Sequence, residues 1–392
     1  IPVHRFHHHP AVGDNPVLDE YNNPRVAAHV RAYAAKLQPD LVHLLHCHRL
    51  SACIIEVFNE LRIPQVFTAT DYWFVCPVTQ LKRHDQSLCR GPSWSGVPCL
   101  RCYVANSQSA DIRRQVPCRS NLKLWLFNLR QLLLPANGDE RQPLVRALLG
   151  RRTYLRRQLN RVQRIFVTTD LMRTILIENT INPRLIRKLP FGINPEWTRS
   201  QRTKTSASTV RFGFVGTMNE YKGPHVLIKA FRALRQRRGA TLNLFGDLAP
   251  FPDYVRYLKM LAAGDAEITF AGTFPNADIG RILENLDVLV APSIWYENTP
   301  LIISHAFDTL TPVIASNLGG MAEVVSHRTN GLLFERGDHH GLAELLQEII
   351  DEPALLSRLR QGIKPVTTIE ESVTEIERTY AELVAPTPRG RV

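Results

Sequence analysis

The sequence predicts an α/β protein of two doubly wound domains, each a parallel sheet covered by helices on both faces. Three observations carry that expectation. The chain has 392 residues, more than one hydrophobic core usually serves. Short apolar runs, many of them ending at Gly or Pro, alternate with stretches at helical spacing, as parallel strands joined by crossover helices require. Finally, Pro195–Thr209 is rich in Ser, Thr, Arg and Lys, has Trp197 as its one large apolar residue, and reads as a linker between two such series.

In the first series Asp40–His46 and Gln65–Thr70 read as strands bracketing a helix over Ser51–Leu61. Arg164–Thr168 is a third strand, and Leu189–Asn194 leads outward. A Cys-rich loop, 71–105, and a basic helical insert, 109–163, separate the second strand from the third. In the second series the strands are Thr209–Gly216, Thr241–Gly246, Ile268–Gly272, Asp287–Pro292 and Pro312–Ser316. Its helices are Val226–Leu234, Ala277–Asn285, a segment after Pro300, and His339–Ile350. The expected organisation is an N-terminal domain over 1–195, a C-terminal domain over 196–368, and a final helix and tail, 369–392, packing back on the first. Ligands of such sheets bind beyond the carboxyl ends of the strands, so two facing copies would make a cleft. The opening Ile1 and the residues after it lack the basic start and apolar core of a secretion signal, and read as the interior of a longer product.

Two segments of the second series have the makings of a site. In Phe212–Gly223 a strand ends at Gly216, and Lys222-Gly223 opens a helix. Glycine permits close backbone approach, a helix start offers unpaired N–H groups and Lys adds a point charge, which together suit a phosphate. The spacing fits neither a Walker A loop nor G-x-G-x-x-G, which argues against P-loop ATPases and dinucleotide dehydrogenases. In Ala291–Ala306, Asn298 or Thr299 is a good N-cap and Pro300 a good first helical residue, so Glu297 is held just outside a helix N-terminus. A carboxylate there can accept bonds from sugar hydroxyls, while the N–H groups of Leu301 and Ile302 face an anion. The plainer alternatives are an ordinary strand-to-helix turn with a solvated Lys, and a Glu serving only its own helix.

With Ser316–Glu323 and Asn330–Phe334, these segments resemble the retaining nucleotide-sugar glycosyltransferases of the GT-B fold, the glycosyl transferases group 1 (family four) type marked by a Glu-x7-Glu pair. Pro39–His43, Thr70–Trp73 and Phe191–Asn194 extend the resemblance, more loosely, into the first half. It implies two Rossmann-like domains facing across a cleft and transfer of a sugar, with retention, from a UDP- or GDP-sugar to a glycan or lipid-linked acceptor. It implies no cofactor for catalysis. By that resemblance Lys222 and Glu297 are the catalytic pair, Lys222 neutralising the departing diphosphate and Glu297 holding donor hydroxyls. Gly216, Thr217, Gly223, Asn298, Thr299, Pro300, Leu301 and His305 would line the donor, with Thr273 and Phe274 near its base. Asp71 falls on the acceptor side.

The sequence departs from that pattern at several points. His305 stands where the second Glu is usual, Thr217 where many relatives have Arg, and Thr70 where a His often precedes the Asp. No Gly-rich loop occurs before Asp40. These departures leave open a second reading, a donor-binding or scaffolding subunit weakened in catalysis.

Cys76, Cys89, Cys99 and Cys102 include one Cys-x-x-Cys knuckle and fit either a closed four-thiolate zinc site or reduced, unliganded thiols. Cys47, Cys53 and Cys118 read as packing residues. An odd total of seven cysteines favours a reducing compartment, hence the cytoplasm. Strand alternation puts His46 and His48 on one face, where they could line the acceptor side; His7, His8 and His9 form a polar loop.

The net charge of +12 is concentrated: thirteen basic and three acidic residues fall between Ser109 and Ile165. Within that span, Leu122–Leu134 sets Trp125 and Phe127 among leucines beside Lys123 and Arg130, a composition that suits either a core-facing helix or one lying on the inner face of an anionic membrane. No nucleic-acid-binding motif accompanies the charge, so specific nucleic acid is not expected. No apolar run approaches the roughly 18 residues of a membrane-spanning helix.

Overall fold

In a computed structural model of the chain, residues 3–6, 15–48, 50–93, 96–106, 126, 129, 141–198, 209–237 and 239–385 are described. His7 to His9, Trp94, Cys118, Trp125 and most of the basic insert lie outside them. The chain forms two compact units, Ile1–Leu189 with Ile376–Val392, and Pro190–Glu375.

The first unit begins with two helices that the sequence did not announce, α1 (Pro16–Tyr21) and α2 (Pro24–Leu37). Each is capped by the Asn before it, Asn15 or Asn23, and starts on Pro, which fixes φ where no backbone donor is needed. Then come β1 (Val42–Leu44), α3 (Cys53–Glu60), β2 (Gln65–Ala69), α4 (Val97–Asn106), α5 (Arg141–Leu159), β3 (Arg164–Val167), α6 (Asp170–Glu178) and β4 (Ile186–Lys188). The sheet is parallel in the order β1-β2-β3-β4. Central β2 is buried at all five positions, Gln65 and Thr68 among them, as a strand covered on both faces must be. β4 escaped the sequence reading because only Ile186 of its three residues is buried, too little pattern to show.

The second unit contains β5 (Val210–Val215), α7 (Pro224–Arg232), β6 (Ala240–Phe245), α8 (Pro252–Ala262), β7 (Ile268–Gly272), α9 (Ile279–Glu284), β8 (Val288–Ala291), α10 (Leu301–Asp308), β9 (Val313–Ser316), α11 (Gly319–Val324), β10 (Gly331–Phe334), α12 (His339–Asp351) and α13 (Pro353–Gln361). Its parallel sheet runs β10-β9-β8-β5-β6-β7. The chain builds outward from β5 through β6 to β7, then returns to β5's other side with β8. That reversal opens a crevice beyond the carboxyl ends of β5 and β8. Phe212, Leu242, Val288 and Ile314 from the strands pack with Leu227, Phe231, Leu342 and Leu346 from α7 and α12 in the unit's core.

The two units divide at Leu189/Pro190 and not within Pro195–Thr209. Ile193 donates to Thr367 O at 3.1 Å and accepts from Ile369 N at 2.9 Å, and a side chain on Gly280 would strike Trp197 O at 2.2 Å. Residues 190–198 are therefore built into the second unit. The last helix, α14 (Ile369–Val384), starts in the second unit and ends in the first. No helix among the described residues is long and apolar enough to cross a membrane.

Candidate active site

Buried Asp287, at the head of β8, receives the backbone N–H and Nε of Arg211 on β5, both at 2.9 Å. This pairing fixes the two central strands at the end away from the crevice. At the crevice end, Asn219 accepts from Lys222 N at 3.0 Å and closes a single 3-10 turn over Glu220–Lys222. Gly223 follows in the left-handed region, φ +74, where a Cβ would lie 2.0 Å from Pro292 O. Only glycine lets the turn after β5 approach the backbone leaving β8 so closely. Ile294 N donates to Tyr221 O at 2.8 Å and completes the junction.

The junction brings the two expected residues together. Glu297 is 5% exposed, and its Oε1 accepts from Lys222 Nζ at 2.7 Å, Ser293 Oγ at 2.7 Å and Trp295 Nε1 at 2.9 Å. Burying a carboxylate is costly unless it is paired and hydrogen-bonded, and here one cation and two neutral donors meet that cost at a single oxygen. The sequence pointed to Lys222 and Glu297 but not to Ser293 and Trp295, whose part depends on how the loop after β8 folds.

The start of α10 corrects one expectation. Neither Asn298 nor Thr299 is the N-cap. Pro300 occupies that position with extended backbone, φ −74 and ψ 98, and no side chain caps the helix. Proline's fixed φ and lack of N–H suit a residue that ends an extended segment. The first N–H groups of α10 therefore have no side-chain cap, and the hydroxyl of Thr299 is buried without a partner. His305, little more than one turn on, stacks on Trp197 at 6.2 Å between ring centres. Its Nδ1 is buried without a partner, and burial moves its pKa down, against a weaker pull from Asp308. Gly216 follows β5, exposed Thr273 and half-buried Phe274 follow β7, and Phe274 meets Phe245 edge-on at 5.8 Å.

In the first unit, His46 follows β1 and Asp71 follows neighbouring β2, and the two side chains meet, Nε2 to Oδ2, at 2.6 Å. The His48 N–H donates to His46 Nδ1 at 3.0 Å. With Nδ1 an acceptor, Nε2 carries the proton and donates it to Asp71. Asp71 Oδ1 accepts Trp73 N at 2.8 Å, and the His48 ring stands 6.3 Å from that of Trp73. The four expected cysteines line one small cavity, yet among the described residues no three His, Cys, Asp or Glu side chains form a ready metal-holding group.

Residues 209–352 match the family model described as glycosyl transferases group 1. The matched stretch contains both Lys222 and Glu297. Among curated relatives, the chain is 24% identical over 253 residues to the putative glycosyltransferase YtcC of Bacillus subtilis, covering 58% of this chain and 62% of that protein. It is 27% identical over 249 residues to the amylovoran biosynthesis glycosyltransferase AmsK of Erwinia amylovora, covering 58% of each. The match thus spans less than two thirds of either relative. Among solved structures, HepE of Anabaena in complex with UDP superposes with a TM-score of 0.64 at 17% identity, over 91% of this chain and 82% of that one. Sucrose-phosphate synthase of Thermosynechococcus elongatus gives 0.62 at 20%, over 93% and 78%. The two parallel-sheet α/β units are those of the GT-B fold.

Proposed function

We propose that the chain is a glycosyltransferase that moves a sugar from a nucleoside diphosphate donor to a glycan or lipid-linked acceptor with retention of configuration. The observation that carries this reading is the Lys222–Glu297 pair, placed beside an uncapped helix N-terminus at the reversal point of the group 1 domain. The donor diphosphate would take Lys222 and the first N–H groups of α10. Charge developing on the leaving oxygens would be met by a cation and a helix dipole already in place. Glu297 keeps Oε1 engaged by Ser293 and Trp295, which leaves Oε2 to accept a hydroxyl of the sugar. HepE was solved with UDP and with UDP-glucose, which supports a uridine donor as the first to be tried, before GDP-sugars. His46, His48 and Asp71 would serve the acceptor, and the basic insert would draw the protein to an anionic surface on the cytoplasmic side, as in polysaccharide or glycoconjugate synthesis.

The test is turnover with a panel of nucleotide sugars and the anomeric configuration of the product by NMR. Lys222→Ala and Glu297→Ala should each lose about 100-fold or more in turnover. Wild-type rates in both would overturn the reading. Half-buried His305, standing where a second Glu is usual, favours one rival, a subunit that binds donor without transferring it. That rival predicts calorimetric binding with no product and no donor hydrolysis.

A further inference from the structure

The cysteines of the long segment after β2 are not accounted for by sugar transfer. Cys76, Cys89, Cys99 and Cys102 come from three separate stretches of chain, yet all four line one cavity of about 20 Å³, with Val75, Leu81 and Pro92 among its other walls. That is room for about one water-sized particle. The walls are largely apolar, and a water there would lack the two to four polar partners that hold one. Four sulfurs around such a space suit a soft cation instead.

The backbone is arranged around these sulfurs as acceptors. The N–H groups of Val78 and Leu81 are directed at the sulfur of Cys76, and that of His84 at Cys102. Gly91 N lies 3.4 Å from Cys89 Sγ, whose thiol also donates to Gly91 O at 3.2 Å, a bond it would give up on losing its proton. The turns that aim them hold non-glycine residues at positive φ, Thr79 at 63 and Leu81 at 49, an arrangement that costs energy. Backbone donors on three of four sulfurs stabilise charge on sulfur far more than they stabilise a thiol.

A buried cation stands beside the group. Arg151 on α5 is 3% exposed, its Nη2 donates to Trp73 O at 2.5 Å, its guanidinium carbon lies 4.9 Å from the centre of the Trp73 ring, and its Nε has no hydrogen-bond partner. Its field falls first on Glu20, then on Cys76 and Cys99, while Arg83 acts on Cys102. A guanidinium this deep is costly unless negative charge stands near it, and Cys76 and Cys99 are placed to supply some beside Glu20.

We propose that Cys76, Cys89, Cys99 and Cys102 form a structural zinc site that pins the loop after β2 to α4. Zinc displaces four thiol protons and draws the sulfurs from the cavity wall to about 2.3 Å from the ion. The resulting centre carries two negative charges, beside Arg151 and Arg83. A closed tetrahedral site leaves no open position, so its role is to fold the loop and not to react.

The chain, purified under reducing conditions without chelator, should contain about one zinc by elemental analysis, released in step with modification of four thiols by a mercurial. Replacement by cobalt(II) should give the thiolate charge-transfer and d–d absorption of a tetrahedral centre. Cys99→Ser with Cys102→Ser should abolish both signals. If that variant fails to fold, the zinc content and cobalt spectrum of the unmodified chain decide. Zinc near zero after equilibration with the metal, or a mass showing disulfides among these four residues, would overturn the proposal.

Discussion

In the proposed reaction Glu297 is the residue on which the chemistry would turn, and its surroundings set what each substitution should show. Glu297→Gln keeps an acceptor for Ser293 and Trp295 but removes the charge that pairs with Lys222, so its melting temperature should stay within a few degrees while turnover falls about 100-fold. Lys222→Ala instead leaves a carboxylate that is 5% exposed without its cation. It should lose about 1–3 kcal/mol of stability besides its activity, read as a lower denaturant midpoint. Donor binding should restore part of that loss if the diphosphate enters beside Glu297 with its own counter-ions. Lys222 and Glu297 were both legible in the sequence because each adjoins a local signal, a Gly after a strand or a Pro before a helix. Ser293, Trp295 and Trp197 were not, since nothing in their spacing foretells that a loop will fold two donors onto one carboxylate oxygen, or an indole onto His305.

Among elements, the turn after β5 and the loop after β8 are built against each other, and Gly223 is where they touch. Gly223→Ala adds a Cβ in the left-handed region and 2.0 Å from Pro292 O, so it should cost about 2 kcal/mol or more. It should also lower turnover by shifting Lys222 away from Glu297, while donor-free secondary structure by circular dichroism stays unchanged. The strands of the second unit were readable because five of six are continuous apolar runs or end on a glycine. Strand β10 was noticed only as a motif, and α1, α2 and β4 were missed: the first two are amphipathic pieces in a polar stretch, and β4 is too short for its period to register. Pro300 as N-cap shows the limit of capping rules, which rank side chains by their hydrogen bonding and cannot foresee a helix start left uncapped.

At the scale of the molecule, the concentration of charge needs revision. Arg151, counted among the thirteen cations of the basic stretch, points inward and is nearly inaccessible, so the surface that stretch offers to an anionic partner is smaller than the sequence count suggests. A histidine also makes fold stability depend on pH. His43 on β1 meets Thr68 Oγ1 at 2.7 Å through Nε2 and the hydroxyl of Tyr380 through Nδ1. Burial lowers its pKa from 6.5 to about 4. The unfolded chain therefore takes up this proton at a higher pH than the folded one. The contribution is fully present above pH 6.5 and declines as pH falls toward about 4. Between those values the wild-type denaturant midpoint should fall with pH more steeply than that of His43→Gln, and parallel curves would show that His43 is not the group responsible.

The same bond has a consequence in time. His43 and Tyr380 lie 337 positions apart, and the second unit is made almost entirely between them. During synthesis, the first unit waits for its closing helix until the ribosome has made the whole second unit. Its sheet and its loop of cysteines stand complete in sequence but open on one side through that interval, while the second unit, continuous in the chain, can close as soon as it emerges. The helix that finishes the first unit is made only after the whole of the second.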